Sequence, residues 1–477
     1  MKDHLKPLKN GEKLGVGSML SVIIKMSIPA ILAQISSIIM QYIDAAMVGR
    51  LGTSAAAAIG LVSTTTWLIG GVINALAIGF NVQIAHKTGA GDCRGARSLV
   101  RHGLLTVTAV SLAVSAICLS VGRFLPAWLG GDPSIRRDAF LYFAVYAASI
   151  PIMGADYAAV GMLQCSGNMK IPGALNIMKC VLDVIFNFFF IFPSRGYTLL
   201  GREITVPGLG LGVLGAALGT AASLTVCAAF MLWFLLVRSE SLSLRREKPS
   251  GVYSDELRRA IKIAIPVGIE SAAMGLAYVA STKIVAPLGT VSITAHSFSI
   301  TVESLCYMPG YGIGVAMTAI IGQVMGAGQF KAAKKLSWLS VFFGMAVMTA
   351  SGAVMYILAP QMIGLLSSDP EVTALGTLIL RIEAFAEPLY AASIAVSGVF
   401  RGVGDTLGPS LINLLSMWVF RIPLSAFLSH SMGLKGVWIA MAVELSIRGL
   451  ALLIRLAVKT YGKEMALNDR KSGADSY

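Results

Sequence analysis

Asp44, Asp156, Lys179 and Asp183 in the first half, and Glu270, Glu303, Glu383 and Glu387 in the second, lie inside long apolar stretches. An ionisable group in such a stretch needs a partner, water or a task, because charge in hydrocarbon is costly. Lys179 and Asp183 are four residues apart and share a helix face. Carboxylates with one lysine in a low-dielectric cavity can hold a shared proton whose affinity changes as the cavity wets and dries. A permanent Lys179–Asp183 pair that only ties helices together is the structural alternative. Glu383 and Glu387 repeat the spacing with like charges, which repel unless Arg381, Arg421 or Lys283 lies close. Glu444 and Arg448 repeat it with opposite charges and are expected to be a structural tie.

The stretches that must position these groups are membrane spans. Of the 477 residues, 56% are hydrophobic and only 13% charged, against about 25% charged in soluble domains. Runs of about 20 apolar residues, each long enough to cross a hydrocarbon core as a helix, recur along the chain. Twelve are expected, at 21–48, 57–80, 98–121, 138–160, 172–192, 210–236, 258–286, 291–322, 335–358, 375–400, 408–430 and 436–458. A net charge of +14 raises the question of nucleic acid, but the basic residues lie between spans and none alternate with aromatics. With both termini cytoplasmic, 25 of the 38 Lys and Arg fall on or beside the inner segments and 7 on the outer loops. The six cysteines show neither paired nor CxxC spacing, and the first span is too long for a cleaved signal.

Repetition organises the spans. IPAILAQ at Pro29 returns as IPVGIES at Pro266, LGT at Leu51 returns at Leu288, and the GAG at Gly89 returns at Gly326. All share one offset, 237, as do Pro151 and Pro388, Gly161 and Gly398, Gly167 and Gly404, Pro172 and Pro409, and Asn176 and Asn413. Only afterwards does the first half carry about 16 extra residues within PSRGYTLLGREITVPGLG. Six spans per half make parallel repeats related by an axis along the membrane normal, the geometry of rocking transport. The expected fold is all-α polytopic, two six-helix lobes with a cleft between them. Its divisions are a cytoplasmic segment 1–20, a first lobe 21–236, a linker 237–257, a second lobe 258–458 and a cytoplasmic tail 459–477.

The strings IPAILAQISSIIMQYIDAAMVGRLGT, IIGQVMGAGQ and GVFRGVGDTLGP resemble the multidrug and toxic compound extrusion (MATE) family over essentially all twelve spans. The resemblance implies a V of two lobes that exports organic, often cationic, compounds in exchange for protons or sodium. The first-lobe cation site of the DinF-like bacterial branch is similar to Asp44, Asp183 and Thr220, with Asp156 near a polar position of the fourth span. Lys179 departs from it, standing where an amide is expected. An ammonium beside those carboxylates takes the charge role of a sodium ion, which favours protons, with Asp44 and Asp183 as carriers and Lys179 as modulator.

The repeat takes Asp44 to Ser281 and Asp183 to Phe420, so the lobes are not functionally symmetric. Gln34, Asn176, Glu270, Glu303 and Glu387 are the substrate-cavity candidates, Glu270, Glu303 and Glu387 being weighed against pairing with Lys283 or Arg421. Met40, Met47, Met153, Met162 and Met274 offer soft, adaptable walls. The matched prolines are kink candidates. The GxGxxG at Gly210, Gly212 and Gly215 follows no expected strand, which argues against a dinucleotide site, and the histidines have no metal-ligand spacing. The expectation is a monomeric, non-enzymatic antiporter of the bacterial inner membrane. It needs no cofactor or metal, touches lipid but no nucleic acid, and exports organic cations or amphipathic drugs for protons. Sodium coupling and flipping of a lipid-linked precursor are the alternatives.

Overall fold

The computed structural model describes residues 5–12, 14–199, 202–246, 254–367 and 369–458. The expected tail 459–477 and parts of the N-terminal segment and linker lie outside the described residues. Six long helices form the first half of the described chain: α1 (Val16–Gly49), α2 (Thr53–Gly89), α3 (Cys93–Gly122), α4 (Arg136–Cys165), α5 (Lys170–Ile191) and α6 (Gly212–Arg238, its last turn a π-turn). The second half holds α7 (Ser254–Val285), α8 (Thr290–Gly326), α9 (Phe330–Gly364), α10 (Pro370–Val403), α11 (Leu407–Met432) and α12 (Leu434–Val458).

Eleven of these are single helices long and apolar enough to cross a membrane. The exception is α10, built from two pieces, Pro370–Glu383 and Glu387–Val403. Pro388 explains the break: it occupies the first turn of the second piece, where its missing N–H has no partner to lose. Its counterpart Pro151 sits inside an unbroken α4, and Pro29 and Pro266 inside unbroken α1 and α7. Of the four expected kinks, Pro388 therefore marks a restart.

The repeat is visible in the backbone. Left-handed glycines recur in pairs at the same offset: Gly52 (φ 109°) with Gly289 (93°), Gly91 (73°) with Gly328 (73°), and Gly167 (94°) with Gly404 (90°). A side chain resists this conformation, so the same turns are cut at the same places in both halves. The extra residues of the first half fold into an antiparallel hairpin, β1 (Pro193–Leu199) and β2 (Arg202–Leu209), between α5 and α6. A strand does precede the GxGxxG, contrary to expectation, but it is the return arm of that hairpin. Gly210 and Gly212 (φ 64° and 56°) turn the chain into α6 without any parallel crossover.

The lobes meet through α1 against α8 and α2 against α7, each pair antiparallel, and through α2 against α8. At the C-terminal ends of α2 and α8 the contact is reciprocal. A side chain on Gly89 would strike the backbone of Gln323, and one on Gly326 would strike that of His86. His86 Nε2 donates to the Gly402 carbonyl at 2.7 Å, and Gln323 Nε2 donates to the Cys165 carbonyl at 2.7 Å. His86 and Gln323 are repeat partners, and so are Cys165 and Gly402. This clasp therefore obeys the same two-fold axis as the fold.

Candidate functional site

Helix α5 buries a stripe of Cys180, Asp183, Asn187 and Ile191, the spacing of one helical face. Asp183 is fully buried and meets half-buried Asp44 from α1. The Asn187 amide joins them, its Nδ2 donating to Asp44 Oδ1 at 2.8 Å and to Asp183 Oδ2 at 3.0 Å. Asp44 and Asp183 also lie in hydrogen-bond reach of each other. Ser223 Oγ of α6 approaches Asp183 Oδ1 at 3.2 Å. Asn187 Oδ1 is buried without a hydrogen-bond partner.

Two expected members are placed differently. Lys179 stands beside the stripe on the side of α4, so its ammonium reaches Asp156 Oδ2 at 3.3 Å. The Lys179–Asp183 pair, the structural alternative, gives way to a tie between α4 and α5, and Asp183 takes Asn187 as its i+4 partner instead. Thr220 is exposed and contributes its carbonyl, which accepts from Ser223 Oγ at 2.9 Å. Among the described residues the hydroxyl that reaches the acid is that of Ser223, one turn on. Asn187 and Ser223 were legible in principle, as the next polar residues at helical spacing after Asp183 and Thr220. Tyr42, two residues before Asp44, carries the contact into the other lobe: its hydroxyl donates to the Thr301 carbonyl at 2.5 Å and lies 2.8 Å from Ser304 Oγ.

The substrate-cavity candidates separate. Glu303 lines a small cavity, about 30 Å³, inside the second lobe rather than between the lobes. Half-buried Glu270 is bound by neutral donors, Ser410 Oγ at 2.5 Å and Asn413 Nδ2 at 2.7 Å, and Lys283 is exposed. Glu387, which begins the second piece of α10, turns into the packing against Gly352. It is fully buried with Glu383, and none of their four carboxyl oxygens has a hydrogen-bond partner. Arg381 points to Tyr356, its Nε donating to that carbonyl at 3.3 Å. Gln34 and Asn176 are half-buried, and among the described residues no hydrogen bond joins them to these acids. Glu444 and Arg448 pair as expected, through bonds of 2.7 and 2.8 Å.

A π-turn changes the correspondence between the lobes. The buried face of α5 follows Pro172, Gly173, Cys180, Asp183, Asn187 and Ile191. Advanced by the repeat offset, it would read 409, 410, 417, 420, 424 and 428. The face of α11 instead reads Pro409, Ser410, Met417, Arg421, Ser425 and Ser429, one residue late from the π-turn Ser416–Arg421 onward. Arg421 is 8% exposed and Phe420 44%. The structural counterpart of Asp183 is therefore Arg421, not Phe420.

The MatE family model matches residues 29–189 and again 266–427. The chain belongs to the MatE family. The two matches start at repeat partners Pro29 and Pro266, and the second is one residue longer, as an extra residue in the π-turn would make it. MATE relatives extend over nearly the whole chain. A probable multidrug resistance protein NorM of Thermotoga maritima is 25% identical over 457 residues, covering 94% of each chain. Multidrug resistance protein MdtK of Edwardsiella ictaluri is 24% identical, covering 91% of this chain and 94% of its own. Among solved structures, a MATE in complex with MaL6 matches at TM-score 0.85 and 20% identity, covering 96% of this chain and 99% of its own. A mutant of the Vibrio cholerae MATE transporter VcmN also matches at 0.85, with 21% identity and 94% and 98% coverage. The chain is a multi-span MATE transporter with the two-lobed MATE fold.

Proposed function

We propose that this MATE transporter is a multidrug efflux antiporter that exports organic cations or amphipathic drugs in exchange for protons. The efflux reading is supported by the names of its relatives, and the proton reading by one observation. Asn187 turns its NH₂, not its oxygen, toward both Asp44 and Asp183. Two carboxyl groups held around one neutral donor share a proton readily, whereas two ionised ones so close repel. Ion binding at Asp44 has a short path to the other lobe, because Tyr42 on the same turn of α1 is bonded to α8 at Thr301 and Ser304. Helix α8 ends in the clasp at Gln323. Protonation that bends α1 therefore pulls on the element whose far end holds the lobes together, and rocking follows.

Lys87, Arg94, Arg97, Lys331, Lys334 and Lys335 flank the clasp, so the positive-inside bias assigns that face to the cytoplasm and this conformation to the inward-closed state. The termini are then cytoplasmic, the membrane is the bacterial inner membrane, and a monomer is the working unit. Lys179 serves by fixing Asp156 and α4 to α5 rather than by titrating Asp183.

A second reading is sodium coupling. Asn187 Oδ1 is buried and unpartnered, and with Asp44, Asp183 and Ser223 it offers the oxygen donors a hard cation takes. Reconstituted transporter loaded with ethidium decides between them. Efflux driven by an inward pH gradient and abolished by Asp44→Asn or Asp183→Asn is expected. Efflux that responds to sodium and ignores the pH gradient assigns sodium, and no gradient-driven efflux of any organic cation removes the antiporter reading.

A further inference from the structure

Leu5 and Leu8 are each 1% exposed, although they lie ahead of α1 in a lysine-rich stretch, LKPLKN. A short helix, Lys6–Lys9, leaves Lys6 exposed and buries Leu8, and it packs against α8. Both leucines belong to one apolar cluster with Met317 and Ile321 of α8 and Ala333 and Leu336 of α9. A side chain on Gly11 would come within 3.1 Å of the Gln329 amide nitrogen, so the backbone runs along the turn between those two helices. The segment that leads into the first lobe is thus docked on the second.

The other half repeats the arrangement. Leu242 stands 237 positions after Leu5, lies ahead of α7, and is fully buried with Phe80 and Ile84 of α2 and Ala96 and Leu99 of α3. Those four are the repeat partners of Met317, Ile321, Ala333 and Leu336. One docking surface is therefore used twice. What keeps each segment in place differs. Leu242 lies just beyond α6, so chain connectivity holds it on the first lobe, where Arg97 Nε also donates to the Ser241 carbonyl at 3.1 Å. No second-lobe helix adjoins Leu5 in the chain, and non-covalent packing alone keeps its segment there.

That difference matters when the lobes tilt. Helix α1 is seated between them, Gly173 of α5 abutting the backbone of Pro29 and Gly312 of α8 that of Ile31. Farther along, Asp44 is tied through Asn187 to α5. Separating the lobes at the clasp therefore draws the start of α1 away from α8, and the docked segment must leave with it. Leu5 and Leu8 then meet water, which apolar burial resists, whereas Leu242 keeps its cover.

We propose that residues 5–12 are a strap that fastens the cytoplasmic face shut, docked on the second lobe in this state and released when the face opens. The proposal rests on the reading of this state as closed to the cytoplasm and goes beyond it, and it is independent of the coupling ion and the cargo.

Distances between spin labels on the full-length transporter in nanodiscs test it. In a Cys118→Ser background one label sits on native Cys93, exposed at the start of α3, and the other on Lys331→Cys at the start of α9, so the pair spans the clasp. Leu5→Ser combined with Leu8→Ser should raise the population at the longer distance at least about tenfold. Leu242→Ser, the same change in the covalently held segment, should leave that population within about twofold of its original value. A second pair, Asn10→Cys and Lys334→Cys with Cys93→Ser, reads the strap itself, and its distance should lengthen together with the clasp distance when His86→Ala opens the face. If the double leucine variant does not fold, Leu8→Ala should give the same shift in smaller measure, and the strap pair still decides. An unchanged clasp population, an equal rise with Leu242→Ser, or a strap distance that stays short while the clasp lengthens would overturn the proposal. Reaction of Lys331→Cys with a membrane-impermeant thiol reagent checks the orientation separately: a site reached only from outside the cell overturns the cytoplasmic assignment of this face, while the distances still judge the strap.

Discussion

At matched positions of the repeat, the first lobe places Thr66, Gly70 and Met153 where the second places Glu303, Tyr307 and Tyr390. In return the second lobe places Ser281, Ser393 and Ser416 where the first has Asp44, Asp156 and Lys179. The turns at the three paired glycines and the clasp are common to both. Duplication has preserved the scaffold that sets spacing and let the ionisable groups settle differently on it. At the one interior position where both lobes carry charge, the sign is opposite: Asp183 in α5 and, after the π-turn, Arg421 in α11. The first lobe thus gathers two carboxyls around an amide, and the second sets a carboxyl and a guanidinium among tyrosines.

The sharpest way to break this division is at the acids. Asp183→Asn should reduce gradient-driven dye efflux to the leak rate in proteoliposomes while leaving protein yield and monodispersity intact. Retained transport would return the coupling role to the second lobe.

Next in size is the Lys179–Asp156 tie. Lys179→Met leaves a carboxylate that is only 2% exposed without its cation and should cost about 3–5 kcal/mol of stability. Adding Asp156→Leu should recover most of that loss, seen as a restored thermal unfolding midpoint in detergent. If the double variant is stable but loses proton coupling, Lys179 modulates the ion site after all.

The clasp predicts equality between the lobes. His86→Ala and Gln323→Ala each remove one of two matched hydrogen bonds, worth about 1 kcal/mol, and should raise the population opened at this face by roughly fivefold. Spin labels placed across the clasp would report the shift as a longer distance. Unequal effects would show that the pseudo-symmetry is geometric and not energetic.

The smallest effect concerns a helix cap. Asp92 begins α3 and accepts from Gly95 N at 2.8 Å, while its counterpart Gln329 begins α9 with no side-chain cap. The Gly95 hydrogen bond and the Lys87 ammonium hold the Asp92 carboxyl below the usual carboxylate range. The cap's contribution is therefore present above that range and lost as pH falls through the lowered value. Asp92→Ala should cost about 0.5–1 kcal/mol at neutral pH and nothing in strong acid, measured by thermal unfolding at both.

Most of the scaffold was legible because its signals are local and periodic. Long apolar runs mark the crossings, and glycines required by left-handed turns mark their ends, twice over at a fixed spacing. The acids of the site were legible for a related reason, since an ionisable residue in hydrocarbon stands out by cost alone. Partners were less so. Lys179 is one turn from Asp183 in sequence, yet a shift of one position on a helix aims it at α4, and only packing decides between the two. The π-turn was invisible because an extra residue inside a helix leaves composition and hydropathy unchanged while rotating everything beyond it. The hairpin was hidden by its length, and the break in α10 by a proline whose twin in α4 breaks nothing.

The reciprocal seating of Gly89 and Gly326 has a consequence for origin. In an isologous interface, residue i meets residue j and j meets i, so one surface serves as its own complement. The joint between α2 and α8 is of that kind, built from one pattern used on both sides of an axis. A single six-helix chain bearing that pattern would already contain the whole contact, and two separate copies could close as a homodimer before fusion made them one polypeptide.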